Sequence, residues 1–279
     1  MKKNLLLLSG ILLCCLYLTG QDIKSYLKEN AVKFNRPDSL GDEIYELLSA
    51  YKLIMIGEMH GTKEPVGLLK GLTDLLTRHG DSVEVGFEIA SNQVNNFLED
   101  KSDSILVHSD FFTNTPDGRN STAWLETILS LKNNTRVHLF FYDTNHEYSN
   151  ARDSEMYVNI RTEIMLHPGW KTITISGNIH NMFLPYKGIA KTANFLRNDS
   201  VLNFYDKICS LNHFYQTGTM FNMMNNKLEI HEVDYPPSEY STAVEYENYI
   251  VVFPYNVSDN YSGIFFTKHI TASEPINKN

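Results

Sequence analysis

Two carboxylates and an imidazole follow directly after a short apolar run near residue 55. The sequence KLIMIGEMHGTKEP holds four apolar residues at 53–56 and then Gly57, after which Glu58, His60 and Glu64 come within one turn. Histidine exchanges protons near neutral pH, and an adjacent carboxylate can orient its ring and stabilise its charged form. The spacing therefore indicates general-base chemistry or metal ligation at the end of a strand.

Three later apolar runs also stop at polar side chains. Glu88 lies near the end of SVEVGFEIA, Asp143 ends RVHLFFYD, and Asn178 and His180 follow KTITISG. The carboxyl ends of parallel strands meet at the edge of a sheet where open α/β folds bind their ligands. We therefore expect these side chains to lie close to those of the first run.

The elements that must position these residues alternate along the first two thirds of the chain. Apolar runs predict four strands, at 53–56, 82–90, 136–143 and 171–178. Stretches with helical spacing lie between them, and this alternation predicts an α/β fold with a largely parallel central sheet flanked by helices. Additional C-terminal strands with an antiparallel edge are predicted at 200–208, 227–235, 248–255 and 263–270.

The N-terminus has the layout of a secretory signal peptide over residues 1–20. Two lysines precede an apolar run at 5–18, which is too short for a comfortable membrane span. Lipid attachment at Cys14 or Cys15 is the alternative interpretation. The chain is therefore predicted to be exported, to the periplasm or the outer surface, with no stable membrane span after cleavage.

The mature chain is predicted to form a single domain over 21–273, followed by a flexible tail at 274–279. Once the signal peptide is removed, Cys209 is the one cysteine left, and a single cysteine cannot form an internal disulfide. The core alone must then stabilise the fold, for which a composition of 42% hydrophobic residues is ample.

Charge and motifs exclude several classes of function. The net charge is -9 without long basic runs, which argues against a nucleic-acid surface. The sequence has no G-x-G-x-x-G or phosphate loop for nucleotides, and no G-x-S-x-G elbow of a serine esterase. It also lacks the H-E-x-x-H metal signature. A small molecule is therefore the expected substrate.

Four pieces of sequence, in order, resemble the erythromycin esterase family. They are GEMHGTKE in the first loop, FE at Phe87-Glu88, NARDSEMYVNI at 150–160, and SGNIHN, in which Gly177 takes the first position of the family's H-N-x-H. More distantly, the glycine-glutamate-histidine layout is similar to that of the haem-binding ChaN-like proteins and the TIKI-type metal proteases. The resemblance implies their common α/β fold, over roughly residues 53–183.

Hydrolysis is the chemistry that the esterase resemblance implies. His60 is the candidate base, with Glu88 or Glu58 as its orienting partner, and Arg152 and His180 are candidates to stabilise the developing oxyanion. The remaining candidates are residues that could bind a substrate or ligand, namely Glu64, Asp143, Asn178 and His146.

Two functions remain open at this point. The first is an exported hydrolase in which histidine and glutamate assist the attack of water on an ester, lactone or amide, with no cofactor required. The second is a haem- or metal-binding uptake protein of the ChaN-like type. In that case a divalent metal would be held by His60, Glu58, Glu88 and His180, a nitrogen and oxygen set that suits zinc, manganese or iron.

Overall fold

The computed structural model describes residues 23–94, 97–100, 102–115, 117–144, 151–254 and 260–276. Its helices are α1 (Ile23–Asn30), α2 (Asp42–Leu48), α3 (Glu64–Arg78), α4 (Phe97–Asp100), α5 (Asp103–Val107), α6 (Asp110–Asn114), α7 (Thr122–Leu131), α8 (Arg152–Leu166), α9 (Thr192–Arg197) and α10 (Glu239–Thr242). Its strands are β1 (Val32–Lys33), β2 (Leu53–Glu58), β3 (Val83–Ala90), β4 (Val137–Asp143), β5 (Lys171–Gly177), β6 (Ile208–Met224), β7 (Lys227–Asp234), β8 (Asn248–Val252) and β9 (Gly263–Ile270).

The nine described strands form one sheet. Its order is β1-β8-β9-β6-β2-β5-β3-β4, and β7 pairs with β6 outside this path. The pairs from β4 across to β9 are parallel, while β8 runs antiparallel to both β9 and β1. The prediction of a largely parallel sheet with additional strands and an antiparallel edge is thus confirmed.

Strand β2 lies in the middle of the sheet, between β5 and β6, and every residue in it is buried. Its apolar side chains alternate between two cores because successive residues of a strand face opposite ways. Ile54 and Ile56 pack with α3 and α7, whereas Leu53 and Met55 pack with α8 and α9. Helices therefore cover both faces, as central parallel strands require.

Strand β6 is where the prediction was wrong. The strand expected at 200–208 is a series of turns in which the Asp199 carboxylate accepts hydrogen bonds from the backbone N–H groups of Val201 and Leu202, and Asn203 has a positive φ of 51°. The strand instead begins at Ile208 and runs for 17 residues. Its first half pairs with β2 and β9, and its second half forms a hairpin with β7.

Several predictions about the chain ends fall partly outside the described residues. The proposed signal peptide, with Cys14 and Cys15, lies outside them, as do the last three residues of the predicted tail. At the start of that tail, the carbonyl of Glu274 accepts a hydrogen bond from the backbone N–H of Thr122 at 2.9 Å. Cys209 is buried and is not in a disulfide. Among the described helices, none combines the length and the apolar character that crossing a membrane demands.

Candidate active site

Three buried carboxylates lie at or near the carboxyl ends of three parallel strands in the same part of the sheet. Glu58 is the last residue of β2, Glu88 lies two residues before the end of β3, and Asp143 ends β4. All three are almost fully buried. Because β5 separates β2 from β3 in the sheet, Gly177 at its end lies between the first two of them. The strand ends therefore meet as the sequence predicts.

Glu58 holds His60 from one side of the ring. Its Oε1 lies 2.7 Å from Nδ1 of His60, and its Oε2 accepts a hydrogen bond from Nε1 of Trp124 at 3.3 Å. The Glu58 side chain has no solvent exposure, whereas that of His60 is 25% exposed. When the neutral ring donates its Nδ1 proton to Glu58, Nε2 is left as a proton acceptor.

The environment of His60 favours its charged form. Burial lowers the pKa of His60, but the charge of Glu58 and its hydrogen bond raise it by more, and Asp117 adds to this effect. The net result is a pKa above the ordinary value of 6.5. A base that gains stability on protonation is suited to removing a proton from water.

The carboxylate of Glu88 is surrounded by hydrogen-bond donors of the protein. Its Oε1 accepts from Nη2 of Arg152 at 2.6 Å and lies 3.1 Å from Nη1 of Arg119, while its Oε2 accepts from the backbone N–H of Gly177 at 2.8 Å. Burial raises the pKa of Glu88, but the charge of Arg119 and of the neighbouring histidine and arginine side chains outweighs burial and holds it well below its ordinary value. Glu88 is therefore a permanent anion.

Arg152 is committed to two carboxylates. Its Nε and Nη2 donate to the two oxygens of Asp143 at 2.8 and 2.6 Å, and Nη2 also donates to Glu88. Burial lowers the pKa of Arg152, but hydrogen bonds to Asp143 and the charge of Glu88 raise it far more, so it stays charged. Arg152 therefore links Asp143 to Glu88 and holds both carboxylates in place, while its role at an oxyanion and that of Asp143 at a ligand stay predictions.

Arg119 is the important residue that sequence reasoning missed. It is buried, it donates to the Asp117 carboxylate through Nε and Nη2, and its Nη1 donates to the Glu88 carbonyl at 2.6 Å. The Asp-Gly-Arg sequence lies in a polar stretch without helical or strand periodicity. Its position just before a helix was the one feature that could have indicated a role for Arg119.

His180 is oriented by Asp153 in the same manner as His60 is by Glu58. Its Nδ1 lies 2.8 Å from Oδ1 of Asp153, and its Nε2 lies 3.6 Å from Oε1 of Glu88. Asp153 is itself held by Lys191 Nζ at 3.1 Å and by the backbone N–H of Thr192 at 3.0 Å. Burial raises the pKa of Asp153, but these partners, His180 foremost, lower it to about 2.

Gly177 leaves room between the two imidazole rings. A Cβ atom at this position would lie 3.4 Å from Cε1 and Nε2 of His60 and 3.7 Å from Cδ2 of His180. A larger side chain at 177 would thus occupy the space beside Nε2 of His60. The glycine keeps that space free of a side chain.

The β6–β7 hairpin fixes the loops around the site. The carbonyl of Gly61 accepts from the backbone N–H of Phe221 at 3.0 Å, and a Cβ at either Gly61 or Gly118 would overlap the Phe221 carbonyl oxygen. Both glycines have positive φ, of 83° and 86°. The loops that carry His60 and Arg119 therefore depend on glycine for their approach to β6.

The other predicted binding residues have different contacts. Glu64 begins α3, and its Oε1 accepts from the backbone N–H of Thr271 at 2.9 Å, while burial raises its pKa. The amide of Asn178 binds the backbone of His213 at both N–H and carbonyl, 3.0 and 3.3 Å away, and so links β5 to β6. His146 lies outside the described residues.

A metal could be held by part of the predicted ligand set. Glu58, His60 and Glu88 each offer one ligand atom, and these atoms lie within 4.8 Å of one another. One imidazole and two carboxylates suit zinc, manganese or iron. An ion would, however, have to share Oε1 of Glu88 with Arg152 or use its other oxygen. His180, the fourth predicted ligand, is not part of this group.

The chain is similar to known proteins in structure and not in sequence. In sequence, no family model and no curated protein matches the chain. In structure, a protein of Bacillus cereus matches with a TM-score of 0.68 and 8% identity, over 92% of this chain and 99% of its own. A succinoglycan biosynthesis protein matches with a TM-score of 0.64 and 10% identity, over 92% and 100%. A mutant of the erythromycin esterase EreC, in its open conformation, matches with a TM-score of 0.58 and 10% identity, over 86% and 97%.

The chain has the fold of the erythromycin esterase EreC. The family resemblance seen in the sequence motifs is therefore confirmed at the level of the fold, which is all that 10% identity shows. A haem-bound ChaN of Campylobacter jejuni also matches, over 68% of this chain and 89% of its own, with 13% identity. Its TM-score of 0.39 is too low to support an argument from that likeness.

Proposed function

We propose that this protein is a hydrolase in which His60 activates water for attack on an ester, a lactone or an amide. The observation that carries the proposal is the 2.7 Å contact between Glu58 Oε1 and His60 Nδ1, at the end of the central strand. This contact directs Nε2 away from the buried carboxylate and towards the space beside Gly177. The erythromycin esterase EreC, whose fold the chain shares, bears the name of such an activity.

The proposed reaction begins with water next to Nε2 of His60. Nε2 takes one proton as the water oxygen attacks the carbonyl carbon, and Glu58 stabilises the imidazolium that forms. The protonated ring then gives this proton to the departing alcohol or amine, which restores the neutral histidine. Between these two proton transfers the carbonyl oxygen carries negative charge. His180, whose ring is oriented by Asp153, is the proposed hydrogen-bond donor to that oxygen through Nε2.

Glu88 and its two arginines have a supporting role in this proposal. The carboxylate binds Arg119, Arg152 and the backbone N–H of Gly177 at once, so it fixes the loop on which the substrate would rest. Its carboxylate also faces Nε2 of His180, which lies 3.6 Å from Oε1 of Glu88. We further propose that the protein acts after export, as its N-terminal sequence indicates.

The test is a panel of aryl esters, lactones and amides offered to the purified wild type and to His60→Ala. We expect the wild type to turn over at least one member, and His60→Ala to lose about 10²–10⁴-fold in rate, as expected for loss of a general base. His79→Ala is the matched control, because His79 also pairs with a carboxylate, that of Asp42 at 3.0 Å, but lies on the surface. Equal rates in all three proteins would disprove the role of His60.

A second candidate function is binding of a metal or of haem, and the Glu58, His60 and Glu88 group favours the metal. Elemental analysis and a visible spectrum of protein purified without chelator decide this. About one equivalent of metal that disappears in His60→Ala would favour a metal-dependent protein, and a Soret band would favour the haem-binding alternative. Colourless protein that binds the same amount of added zinc or manganese in the wild type and in His60→Ala would rule out the second candidate.

A further inference from the structure

A second group of metal-ligating side chains lies at the other end of the strands from the candidate active site, near the amino end of β4. His138 is the second residue of β4, and Glu163 and His167 lie at the end of α8. We call these three residues the His138 cluster. Since β4 rises about 3.3 Å per residue, the five residues from His138 to Asp143 place the cluster roughly 17 Å from the candidate active site. The cluster is therefore independent of the proposed hydrolytic function.

The helix presents two of the three side chains on one face. Glu163 and His167 are four residues apart, and the backbone N–H of His167 donates to the Glu163 carbonyl at 3.2 Å, so the helical turn continues to His167. Nε2 of His138 lies 3.2 Å from Oε2 of Glu163, and the centroids of the two imidazole rings are 4.8 Å apart. All three residues are partly exposed, so a solvated ion can reach them.

A buried carboxylate orients one of the ligands. Oε1 of Glu84 lies 2.6 Å from Nδ1 of His167, and its Oε2 accepts from the hydroxyl of Thr172 at 2.8 Å. Glu84 is fully buried on β3. Metal-binding histidines in proteins commonly donate the proton of their second ring nitrogen to a carboxylate, which sets the tautomer and frees the other nitrogen for the ion. Glu84 stands in that relation to His167.

The spacing of the donor atoms suits a small tetrahedral ion. One ligand atom from each of the three residues can be chosen so that all lie within 4.8 Å of one another. Zinc bonds of about 2.0–2.1 Å put tetrahedral ligand atoms about 3.3–3.4 Å apart, and the 3.2 Å between His138 and Glu163 is already close to that value. Small side-chain rotations would bring in His167.

We propose that His138, Glu163 and His167 bind a zinc ion, with Glu84 orienting His167 and water as the fourth ligand. Two imidazoles and one carboxylate match the preference of zinc, whereas magnesium and calcium prefer all-oxygen sites. The ion joins the end of α8 to the start of β4. It therefore stabilises the folded chain, by an amount that grows with the logarithm of the free zinc concentration once this exceeds the Kd.

The competing explanation is a network of ion pairs. In that case a protonated His138 pairs with Glu163, a protonated His167 pairs with Glu84, and the cluster has no affinity for metal. The two explanations differ in one measurable property, which is the zinc stoichiometry.

The experiment measures zinc bound to chelator-treated, dialysed full-length protein, by competition with a chromophoric zinc indicator. We expect His138→Ala and His167→Ala each to bind one equivalent fewer than the wild type, and Glu163→Gln to weaken that site at least about 10-fold. His60→Ala is the control for the group of Glu58, His60 and Glu88, and it must still bind the equivalent of zinc that belongs to the His138 cluster. His79→Ala, which removes a surface histidine paired with Asp42, must bind as the wild type does.

Two further measurements keep the test decisive. Added zinc should raise the melting temperature of His60→Ala but not that of the double variant His60→Ala with His138→Ala. Glu84→Gln should lower the zinc affinity about 10–100-fold. If this buried change prevents folding, the zinc binding of His138→Ala and His167→Ala still tests the proposal. The proposal is overturned if the wild type binds no zinc, or if His138→Ala and His167→Ala bind as much zinc, as tightly, as the wild type.

Discussion

Oε1 of Glu58 lies 2.7 Å from Nδ1 of His60, although the two residues are separated by only one position in the chain. The contact exists because β2 ends at Glu58 and the chain turns back at once, which returns the imidazole to the buried carboxylate. Glu58 cannot rotate freely, since Trp124 binds its other oxygen. A fixed carboxylate and a partly exposed ring are together what the proposed hydrolysis requires.

Replacement of Arg119 should be costly to stability. Arg119→Gln removes the guanidinium group that pairs with Asp117 and one of the two that bind Glu88, and breaking a buried ion pair typically costs about 3–5 kcal/mol. Urea unfolding followed by circular dichroism measures the loss. Arg36→Gln is the control, because the Arg36–Asp38 pair is exposed and such pairs contribute only about 0–1 kcal/mol. Similar losses in both variants would contradict the assigned role of Arg119.

The fold was predictable where the sequence pattern is local. The four apolar runs become β2 to β5 because each is buried and is followed by a polar residue at the strand end. Strand β6 escaped prediction because its middle residues are only half-buried and include Tyr215, Gln216 and Thr217. Its pairing with β2 is a long-range contact, which no local pattern specifies.

The site was predictable in its residue types but less so in its contacts. Glu58, His60, Glu88 and His180 do lie around Gly177, yet whether Glu58 or Glu88 orients His60 depended on the turn after β2. The position of Arg119 depends on a loop that approaches β6 at Gly118. Neither this loop conformation nor the course of β6 was predicted from the sequence. Asn178 contacts the backbone of His213 in that same strand, so its position could not be deduced without β6.

Acid should weaken the fold through Asp153. Its pKa is lowered from 3.8 to about 2, so its stabilising effect is complete above pH 3.8 and is lost as the pH falls through about 2. Asp153→Asn should therefore lower the unfolding free energy on the order of 2 kcal/mol near neutral pH, and the difference from wild type should shrink towards pH 2.

Asp199→Asn separates this effect on stability from an effect on turnover. The pKa of Asp199 is also lowered to about 2, but its partners are Tyr157 and Arg161, away from the site. Both variants should lose their stability difference from the wild type as the pH falls towards 2, and only Asp153→Asn should reduce turnover, through His180. Equal turnover in the two variants would contradict the orienting role of Asp153.

Gly61 should tolerate alanine far less well than Gly80 does. Both residues have positive φ, of 83° and 97°, so either substitution costs about 1 kcal/mol or more in backbone strain. A Cβ at Gly61 also overlaps the carbonyl oxygen of Phe221, whereas a Cβ at Gly80 meets nothing within 4 Å. Chemical denaturation should show a clearly larger loss for Gly61→Ala. Equal losses would mean that the hairpin does not pack tightly on the histidine loop.

The most direct test of the central claim is the pH dependence of kcat/KM for wild type and Glu58→Gln, on a substrate from the panel. His60 must be neutral to accept a proton, so the wild-type rate should rise with pH through a midpoint above 6.5, since Glu58 raises the pKa of His60. Glutamine keeps the shape but not the charge, so Glu58→Gln should be slower and its midpoint should move to lower pH. A midpoint that is the same in both proteins would contradict the claim that the Glu58–His60 pair is the catalytic base.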